Sequence, residues 1–374
     1  MKSILIIIML IAGCIASFAQ VNEAEWPLFR GKADLSGRTD FEFPASPALL
    51  WSVSTGTRTK SSPVVSNGVI YFGNDKGILT AITTEGRVKW RFEAGRVIEA
   101  PPLVFENKVI FGDNYGVLRA LDAESGKLLW TYTTENQISG SANVWKIGNR
   151  AGVIVGSYDY YLHCVDPANG KQLWKIETDN YVNGTPVISG SRIVFGGCDG
   201  IVRIVDPLTG TQSDTVNIGV YLASSPAVAG SRVFLGDYDG TFYSIDLMSR
   251  KIAWRVPAGT ESAPIMSIPG IGKNLVLTGS DDKHLYCFSI TDGGLNWRYR
   301  TNGRISGSPV VSPSGVLFSS MDGFVYILGL QNGSKIWSFN TGAPVSSSPA
   351  VTRDRFYILT EDGRLLAFGI KGKK

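Results

Sequence analysis

Residues 109–130 read VIFGDNYGVLRALDAESGKLLW, and this unit of sequence returns throughout the chain. Two runs of alternating apolar and polar residues, 109–112 and 117–121, flank a tight polar turn that ends at Gly116. Such alternation, bounded by Gly, Asp or Asn, is typical of short antiparallel strands joined by hairpin turns, because those residues tolerate the positive φ that the turns require. The unit therefore predicts a small antiparallel sheet, and its recurrence predicts the fold.

The repeat occurs eight times, at spacings of 39 to 44 residues. One turn position is glycine in six of the copies, and its eight occupants are Gly77, Gly116, Tyr160, Gly200, Gly240, Lys283, Gly323 and Gly363. A period of this length is typical of arrays in which each unit is one four-stranded blade. The repeat predicts an all-β chain, folded as an eight-bladed β-propeller of four-stranded antiparallel blades.

A tryptophan marks the predicted outer strand of most copies. The tryptophans of this column are Trp51, Trp90, Trp130, Trp174, Trp254, Trp297 and Trp337. The fourth copy carries Asp214 instead, and the eighth copy ends at Phe368 with no outer strand after it. Because Trp51 precedes the first copy, we expect an N-terminal strand at about 49–53 to complete the C-terminal blade. That pairing would close the ring and remove two exposed sheet edges.

The interval between the inner strand and the turn is longer in the third and sixth copies. Residues 146–152 and 268–273 account for the excess. We expect both insertions to lie in the hairpin between the first and second strands, on the face of the ring opposite the glycine turns. Loop insertions of this kind are generally tolerated at a protein surface.

The first residues of the chain are typical of an export signal. Lys2 gives a basic start, and 4–11 form an apolar core that is too short to span a bilayer. Cleavage after Ala19 would release a soluble chain, whereas 11–14 resemble a bacterial lipobox, whose cleavage would leave a lipidated Cys14. We therefore expect a signal peptide over 1–19, or over 1–13 if Cys14 is lipidated. A leader over 20–47 and a single propeller domain over 48–374 would follow.

The leader contains an apolar stretch, 26–31, that lies outside the repeat. We expect it to fill a groove or to seal one end of the ring. Cys164 and Cys287 share one repeat column with small residues, which indicates packing positions. A disulfide between Cys164 and Cys198 on neighbouring blades is an alternative in an oxidising compartment. No cysteine spacing typical of a metal site occurs, and we predict no metal site.

The composition argues against a nucleic-acid partner. The formal charge of +4 is small beside 36 Lys and Arg and 32 Asp and Glu, and the basic residues are scattered. Nucleic-acid binding requires a basic patch or stripe. We therefore predict no nucleic-acid binding, and membrane contact only through a lipid on Cys14.

The segment ALDAESGKLLW, 120–130, resembles the tryptophan-docking repeat of the pyrroloquinoline-quinone (PQQ) propeller superfamily. That superfamily includes quinoprotein dehydrogenases and the lipoprotein scaffold of outer-membrane β-barrel assembly, and this chain resembles the scaffold more. The likeness extends from about Trp26 to Phe368. It implies an eight-bladed ring in which each outer-strand tryptophan packs between two blades. The motif is specific for the fold and weak for function, because enzymes and scaffolds share it.

Any ligand site of a propeller is expected at a mouth of the ring, where the loops that lead into the inner strands converge. The polar and aromatic residues of those loops form a set of mixed charge that could hold a polar small molecule, a peptide or a sugar. These candidate residues are Arg58, Lys60, Arg96, Glu99, Gln137, Tyr181, Asn183, Tyr221, Glu261 and Arg304. A solvated funnel with no ligand is the alternative.

The enzymes of the superfamily carry PQQ with calcium, a catalytic Asp, and often a disulfide between adjacent cysteines. This chain has no adjacent cysteines. Glu99, Glu261 and Asn183 are the oxygen ligands that the mouth could offer, with no Asp beside them. We therefore assign no catalytic residue and predict no cofactor, with PQQ and calcium as the alternative.

These patterns predict an exported, periplasmic propeller that acts as a protein-interaction scaffold. Its partner would be another envelope protein, and the resemblance implies a role in outer-membrane protein assembly. The alternatives are a PQQ-dependent dehydrogenase and an envelope module that binds polysaccharide or peptide. The oligomeric state is not predicted.

Overall fold

The computed structural model describes residues 25–222, 224–258 and 263–371. These residues form 32 strands in eight four-stranded antiparallel sheets, which confirms the predicted eight-bladed propeller. The predicted export signal and Cys14 lie outside the described residues. In the part of the chain that the structure describes, no helix is long and apolar enough to cross a membrane.

Each blade contains an inner strand, two middle strands and an outer strand. The inner strands are β2 (Val64–Ser66), β6 (Leu103–Phe105), β10 (Asn143–Ile147), β14 (Val187–Ser189), β18 (Ala227–Ala229), β22 (Gly270–Ile271), β26 (Val310–Val311) and β30 (Ala350–Val351). The second strands are β3 (Val69–Phe72), β7 (Lys108–Gly112), β11 (Arg150–Gly156), β15 (Arg192–Gly196), β19 (Arg232–Gly236), β23 (Leu275–Gly279), β27 (Gly315–Ser319) and β31 (Arg355–Leu359).

The third strands are β4 (Ile78–Thr83), β8 (Val117–Asp122), β12 (Tyr161–Val165), β16 (Ile201–Val205), β20 (Thr241–Asp246), β24 (His284–Ser289), β28 (Phe324–Gly329) and β32 (Arg364–Gly369). The outer strands are β1 (Ala48–Ser54), β5 (Val88–Glu93), β9 (Leu128–Thr133), β13 (Gln172–Glu177), β17 (Gln212–Asn217), β21 (Lys251–Pro257), β25 (Leu295–Arg300) and β29 (Lys335–Asn340). The middle strands are largely buried, whereas outer strands such as β5 are exposed at every second residue or more.

The ring closes as the tryptophan column predicts. Strand β1 pairs antiparallel with β32, and Trp51 lies opposite Ala367. The eighth blade therefore contains three C-terminal strands and one N-terminal strand, in the order β1-β32-β31-β30. This pairing fastens the two ends of the propeller together.

The turn column has one backbone conformation in all eight blades. Its φ values lie between 73° and 86°, in the left-handed region that glycine adopts at little cost. Tyr160 and Lys283 adopt the same conformation, with φ values of 73° and 74°. A left-handed conformation in a bulky residue is uncommon and costs free energy, so these two turns are held by their surroundings.

The outer-strand tryptophans join each blade to the next by one recurring contact. The indole nitrogen of Trp130 donates to the carbonyl of Pro167, in the next blade, at 3.0 Å. Its ring lies against Gly170, where an added Cβ would come within 2.6 Å of the indole. Gly170 also has a φ of 72°, so this position requires glycine for both space and conformation.

Other tryptophans of the column make the same hydrogen bond at 2.9–3.1 Å; they are Trp51, Trp90, Trp174, Trp254 and Trp297. Trp337 packs against the eighth blade, with its ring 5.6 Å from that of Phe368. Trp130, Trp174 and Trp254 are buried, and the remaining four are partly buried.

The one copy without a tryptophan replaces the contact by an ion pair. Asp214 lies in the tryptophan column, and Arg250 of the fifth blade takes the place of the facing glycine. Their side chains meet at 2.7 Å, and both are partly exposed. Arg250 keeps the left-handed φ of the glycine, at 60°. An exposed ion pair is worth little, about 0–1 kcal/mol, so this contact holds its two blades less strongly than a tryptophan–glycine contact does.

Restoring the missing contact should stabilise the ring. The double variant Asp214→Trp/Arg250→Gly buries an indole, relieves the left-handed Arg250, and offers the carbonyl of Leu247 as the acceptor. We expect the free energy of unfolding to rise by about 2 kcal/mol, measured by urea denaturation. The single variant Asp214→Trp keeps the Arg250 side chain beneath the indole and should gain nothing. A double variant no more stable than the natural chain would contradict this interpretation.

The leader crosses the end of the ring where the inner strands finish, and it contacts seven blades. Trp26 forms a bridge with Val65 of the first blade. Leader carbonyls then accept hydrogen bonds from successive inner strands at 2.6–2.9 Å; the donors are the backbone amides of Val104, Ile188, Val228, Ile271 and Val311, and the side-chain amide of Asn143. Leu28 and Leu35 are buried in the core. The leader therefore seals this end of the axial channel, which we call the plugged face.

Arg30 anchors the leader near the axis. Its guanidinium is 1% exposed and donates to the carbonyls of Pro269 and Pro309, which precede two inner strands. Burial lowers the pKa of Arg30 to about 9, and the charge of Asp34 partly offsets this effect. Arg30 therefore stays charged at neutral pH.

The third-copy insertion lies where it was predicted, whereas the sixth-copy prediction is wrong. Strands β10 and β11 extend their hairpin beyond those of the other blades. In the sixth blade, 272–274 link β22 to β23 just as 312–314 link β26 to β27. The extra residues of this copy lie instead between β21 and β22, before the inner strand. Two prolines lie in this region, and Pro269, not Pro264, directly precedes the inner strand.

The three cysteines in the described residues are unpaired, so the alternative disulfide between Cys164 and Cys198 is not formed. Cys164 and Cys287 are buried, and burial raises the pKa of each thiol to about 12. Their thiols are therefore unreactive at neutral pH.

Candidate functional site

The candidate site lies on the face opposite the plugged face, which we call the mouth face. The same type of hydrogen bond recurs on this face. It joins the glycine turn of a blade to the loop that leads into the inner strand of that blade. Tyr158, Cys198 and Tyr238 donate backbone amides to the carbonyls of Gln137, Tyr181 and Tyr221 at 2.9–3.0 Å. Turns and loops are therefore locked side by side around the rim.

The centre of the mouth face is a funnel of about 310 Å³ whose lining comes from all eight blades. Its walls carry mainly hydroxyl groups and glycine, and Phe29 of the leader also lines it. The polar lining includes Lys60, Ser62, Glu99, Ser139, Ser141, Asn183, Thr185, Ser224, Ser225, Ser306, Ser308, Ser346 and Ser348.

The hydroxyls deepest in the funnel serve the junctions between blades. The backbone amide of Ser308 donates to the hydroxyl of Ser348, and that of Ser348 donates to Ser62, both at 2.9 Å. The same bond joins Ser141 to Thr185 and Thr185 to Ser225. A Ser-Pro pair precedes four of the inner strands, at Ser62, Ser225, Ser308 and Ser348. These serines therefore mark a seam of interblade hydrogen bonds, a structural role that the sequence did not reveal.

The predicted mouth residues divide into two groups. Lys60, Glu99 and Asn183 line the funnel, and Lys60 pairs with Glu99 at 3.2 Å. The others described lie on loops around the funnel; they are Arg58, Arg96, Gln137, Tyr181, Tyr221 and Arg304. Glu261 lies outside the described residues. The structure thus brings three of the ten candidates together in one cavity.

The rim near the first blade carries closely spaced opposite charges. Arg58 pairs with Glu361 at 3.8 Å, beside the Lys60–Glu99 pair. Burial raises the pKa of Asp75, and the negative charge of Glu99 adds to the effect. Because positive and negative groups largely balance, this sector offers no strong field to a charged ligand.

Blades two to five present a different surface, an arc of tyrosines. We call it the tyrosine crescent; its members are Tyr115, Tyr158, Tyr160, Tyr181, Tyr221 and Tyr238. Tyr221, Tyr115 and Tyr238 are 60%, 59% and 54% exposed. Tyr181 stacks on Tyr158 and Tyr160, with ring centroids 4.6 and 5.2 Å apart. Exposed aromatic clusters of this kind are typical of binding surfaces.

Two features distinguish the crescent from scattered surface aromatics. Tyr160 holds the strained turn position that six blades give to glycine, and it is 44% exposed. Arg96 already lies over the ring of Tyr115, 4.0 Å from its centroid. Strain in an exposed aromatic turn residue favours a function over a packing role.

Sequence reasoning found Tyr181 and Tyr221 but missed the other four tyrosines. Those four lie in the glycine turns, for which the repeat predicts only hairpin connections between strands. The sequence did contain a signal for them. Each is a tyrosine at a turn position where other copies have glycine or a small polar residue. Tyr160 was visible in the repeat column, and its exposure required the structure.

The funnel residues do not fit a PQQ–calcium centre. Calcium requires six to eight oxygen ligands, several of them carboxylates. Within the described residues, no cluster of three or more His, Cys, Asp or Glu could hold a metal ion. Glu99 is paired with Lys60, and most of the lining consists of serine hydroxyls that bond to neighbouring backbone.

Comparisons with solved structures find the same architecture. The crystal structure of BamB from Moraxella catarrhalis is 20% identical over 88% of this chain and 99% of that chain, with a TM-score of 0.73. Quinohemoprotein alcohol dehydrogenase from Comamonas testosteroni is 14% identical over 94% of this chain and 81% of that chain, with a TM-score of 0.80. These likenesses show the fold alone. No curated protein matches the chain.

A family model described as "Outer membrane protein assembly factor BamB" matches residues 44–144, 139–213, 198–305 and 282–374. The matches cover the whole ring, from β1 to the last strand, and so confirm the resemblance to PQQ-like repeat propellers. The chain belongs to the outer membrane protein assembly factor BamB family.

Proposed function

We propose that this protein is an exported, non-catalytic scaffold that binds a protein partner in the periplasm and contributes to outer-membrane protein assembly. The observation that carries the proposal is the tyrosine crescent, a large exposed aromatic surface on a rigid ring. The family description supports the assembly role. A lipid on Cys14 would hold the ring at the outer membrane, and cleavage after Ala19 would leave it soluble.

The crescent has the composition of a protein-binding surface. Tyrosine is enriched among the residues that dominate binding energy, because its ring offers a large apolar area and its hydroxyl a hydrogen bond. Tyr221 and Tyr238 lie in one blade and are linked through their backbones at 2.9 Å. The surface is therefore held in shape before a partner arrives, which lowers the entropy cost of binding.

The charge around the crescent defines the partner. Glu135 and Asp239 are exposed beside the tyrosines, as is Asp179, whose carboxylate lies 3.5 Å from the guanidinium of Arg203. Tyrosine faces and carboxylates both attract Lys and Arg side chains. Arg96 on Tyr115 shows this contact within the chain itself. We infer a partner protein whose docking face carries Lys or Arg between apolar residues.

Affinity purification tests this function. The natural chain, tagged at its C-terminus, should recover a component of the β-barrel assembly machinery from a detergent extract of the envelope. Purified protein mixed with PQQ and calcium should show no thermal shift and no dye-linked alcohol oxidation. Recovery of glycan with no assembly component, or turnover with PQQ and calcium, would contradict the proposal.

A further inference from the structure

We propose that the funnel at the centre of the mouth face binds a neutral sugar ring, either a free monosaccharide or the end of an envelope glycan. The site is distinct from the tyrosine crescent, which lies on the turns and loops around it. The inference goes beyond the proposed function and does not rest on it, because the funnel and the crescent offer different chemistry to different ligands.

Two levels of side chains line the funnel. The deeper level is the seam, whose hydroxyls accept hydrogen bonds from backbone amides of the neighbouring blade. Nearer the mouth lies a second level, formed by the residue four positions before each inner strand. We call this level the upper ring; its described members are Lys60, Glu99, Ser139, Asn183, Met266, Ser306 and Ser346. The ring places one repeated sequence position around the axis, where its side chains converge on one ligand.

Polar groups of the upper ring are available to a ligand. The hydroxyl of Ser346 is buried and has no hydrogen-bond partner within the described chain. Ser139, Asn183 and Ser306 are half-buried, and no hydrogen bond among the described residues uses their side chains. Buried polar groups are normally satisfied, because leaving them unpaired costs free energy. Hydroxyl and amide groups both donate and accept, so they match a ligand that carries several hydroxyls.

The charges of the upper ring favour a ligand without net charge. Lys60 and Glu99 meet at 3.2 Å and remain partly exposed. A charged ligand would have to separate this pair or leave one of its members unbalanced. Sugar hydroxyls can accept from the ammonium group and donate to the carboxylate while the pair stays intact.

One side of the funnel is apolar. Met266 of the sixth blade is 41% exposed and lies across the ring from Glu99 of the second blade. Phe29 of the leader is partly buried and lines the floor. A sugar ring has the same division, since its hydroxyls project from the edge and its C–H groups cover the faces. The funnel therefore offers polar partners to the edge of such a ring and apolar contact to a face.

A peptide is the competing occupant, and the funnel offers it no strand edge. Extended peptides commonly bind by adding to an exposed edge. The inner strands already donate amides to the leader, as Val228 does to the carbonyl of Asp34 at 2.9 Å. The approach to each strand is bonded in the seam, as Thr185 is to Ser225 at 2.7 Å. The volume of about 310 Å³ is near the lower limit for small-molecule sites, about 300 Å³, and suits one sugar ring.

Titration of the purified protein tests the proposal. The probes are two neutral sugars, methyl glucoside and N-acetylglucosamine, two charged sugars, glucosamine and glucuronate, and a capped tetra-alanine peptide. Binding is measured by saturation-transfer-difference NMR and calorimetry. We expect a neutral sugar to bind at least about tenfold more tightly than either charged sugar and than the peptide. Absence of binding by both neutral sugars, or tighter binding of the peptide or of a charged sugar, would overturn the proposal.

Two funnel variants with matched controls locate the site. Asn183→Leu removes the amide at similar volume, and Met266→Ser removes the apolar side; each should weaken binding of the neutral sugar about tenfold. Asn149→Leu and Met248→Ser make the same changes at exposed positions on the plugged face and should leave the affinity unchanged. Full affinity in both funnel variants, with circular dichroism unchanged, would place the sugar elsewhere and overturn the proposal.

A third variant tests the role of the charged pair. Lys60→Gln leaves Glu99 without its cation and should raise the affinity for glucosamine about tenfold. The control is Lys146→Gln on the plugged face, because Lys146 meets Glu106 at the same 3.2 Å. It should not change glucosamine binding. An equal gain in both variants would show attraction to any unpaired carboxylate and would contradict recognition in the funnel.

The N-acetylglucosamine tetramer distinguishes the two sources of the sugar. A tetramer that binds at least as tightly as the monomer assigns the funnel to a glycan end, whereas binding of the monomer alone assigns it to a free sugar. The funnel variants leave the crescent intact and should still recover the assembly component. Loss of sugar binding with that component retained supports the funnel as a separate site.

Failure of this inference is therefore distinguishable from failure of the proposed function. If the natural chain recovers the assembly component but binds neither neutral sugar, the funnel site alone is removed. If it binds a neutral sugar in the funnel but recovers no assembly component, the proposed function alone is removed.

Discussion

The double variant Tyr181→Ser/Tyr221→Ser should lose at least about a hundredfold in affinity for the envelope partner. Both rings are exposed on the tyrosine crescent, 37% and 60% respectively, and Tyr181 holds the stack with Tyr158 and Tyr160. Truncating one such aromatic anchor typically costs about 2 kcal/mol or more, and about 1.4 kcal/mol corresponds to tenfold in affinity. Affinity purification followed by titration of the recovered partner measures the loss.

The control variant is Leu295→Ser, which removes a side chain 54% exposed on the outer edge of the sixth blade. It should bind as the natural chain does. Tyr221→Phe keeps the ring and should lose far less than the serine variant. A double variant that still binds at full strength, with its fold intact by circular dichroism, would contradict the assignment of the crescent.

Trp130→Ala should destabilise the ring by about 3–5 kcal/mol, the range for removing a large buried aromatic. Trp130 is 7% exposed, packs on Gly170, and donates to the carbonyl of Pro167. The variant leaves a cavity between two blades and an unpaired carbonyl acceptor, and each effect costs free energy. Urea denaturation followed by tryptophan fluorescence measures the change.

Leu173→Ala is the matched comparison, because Leu173 lies next to a column tryptophan but is 47% exposed. It should change stability by less than about 0.5 kcal/mol. A loss below about 1 kcal/mol for Trp130→Ala would show that the blades are held together mainly by something other than the indole contacts.

Much of the fold could be predicted from the repeat, because the features that specify it are residue types at fixed spacings in the sequence. The tryptophan column, the left-handed turn and the vacancy in the last blade each depend on residue type at fixed spacing, and closure by β1 followed from counting strands. The path of the leader did not follow, because Ala33 and Ser36 bond through backbone carbonyls that any residue supplies. The position of the sixth-copy insertion did not follow, because Pro264 and Pro269 both precede the inner strand and the sequence does not show which of them begins it.

The candidate site was less accessible to sequence reasoning. The topology of a propeller determines which loops meet at the mouth. It therefore predicts that Lys60, Glu99 and Asn183 lie near each other. The topology does not predict which side chains of these loops and turns are exposed to solvent. Tyr115 and Tyr238 occupy turns between buried strands, and only the assembled ring shows that their side chains are largely exposed. The exchange of a tryptophan–glycine contact for Asp214 and Arg250 joins two repeat columns in neighbouring blades, so it becomes visible only when both columns are compared.

The leader on the plugged face and the interblade hydrogen bonds of the serines together explain why the ring can present a fixed surface. The leader bonds to the inner strands on the plugged face, and the serine seam joins the inner strands within the funnel. Both ends of the inner strands are therefore tied. Motions that would reshape the mouth face are opposed, and a partner meets the crescent in one arrangement.

Photocrosslinking in living cells tests the central claim, that the mouth face binds a protein partner. Benzophenone-alanine is placed at Tyr221 on the crescent and at Ser191, which is exposed in the β14–β15 hairpin on the plugged face. Crosslinks from position 221 to a component of the β-barrel assembly machinery, with none from position 191, are the predicted result. The same component crosslinked from position 191 and absent at position 221 would contradict it.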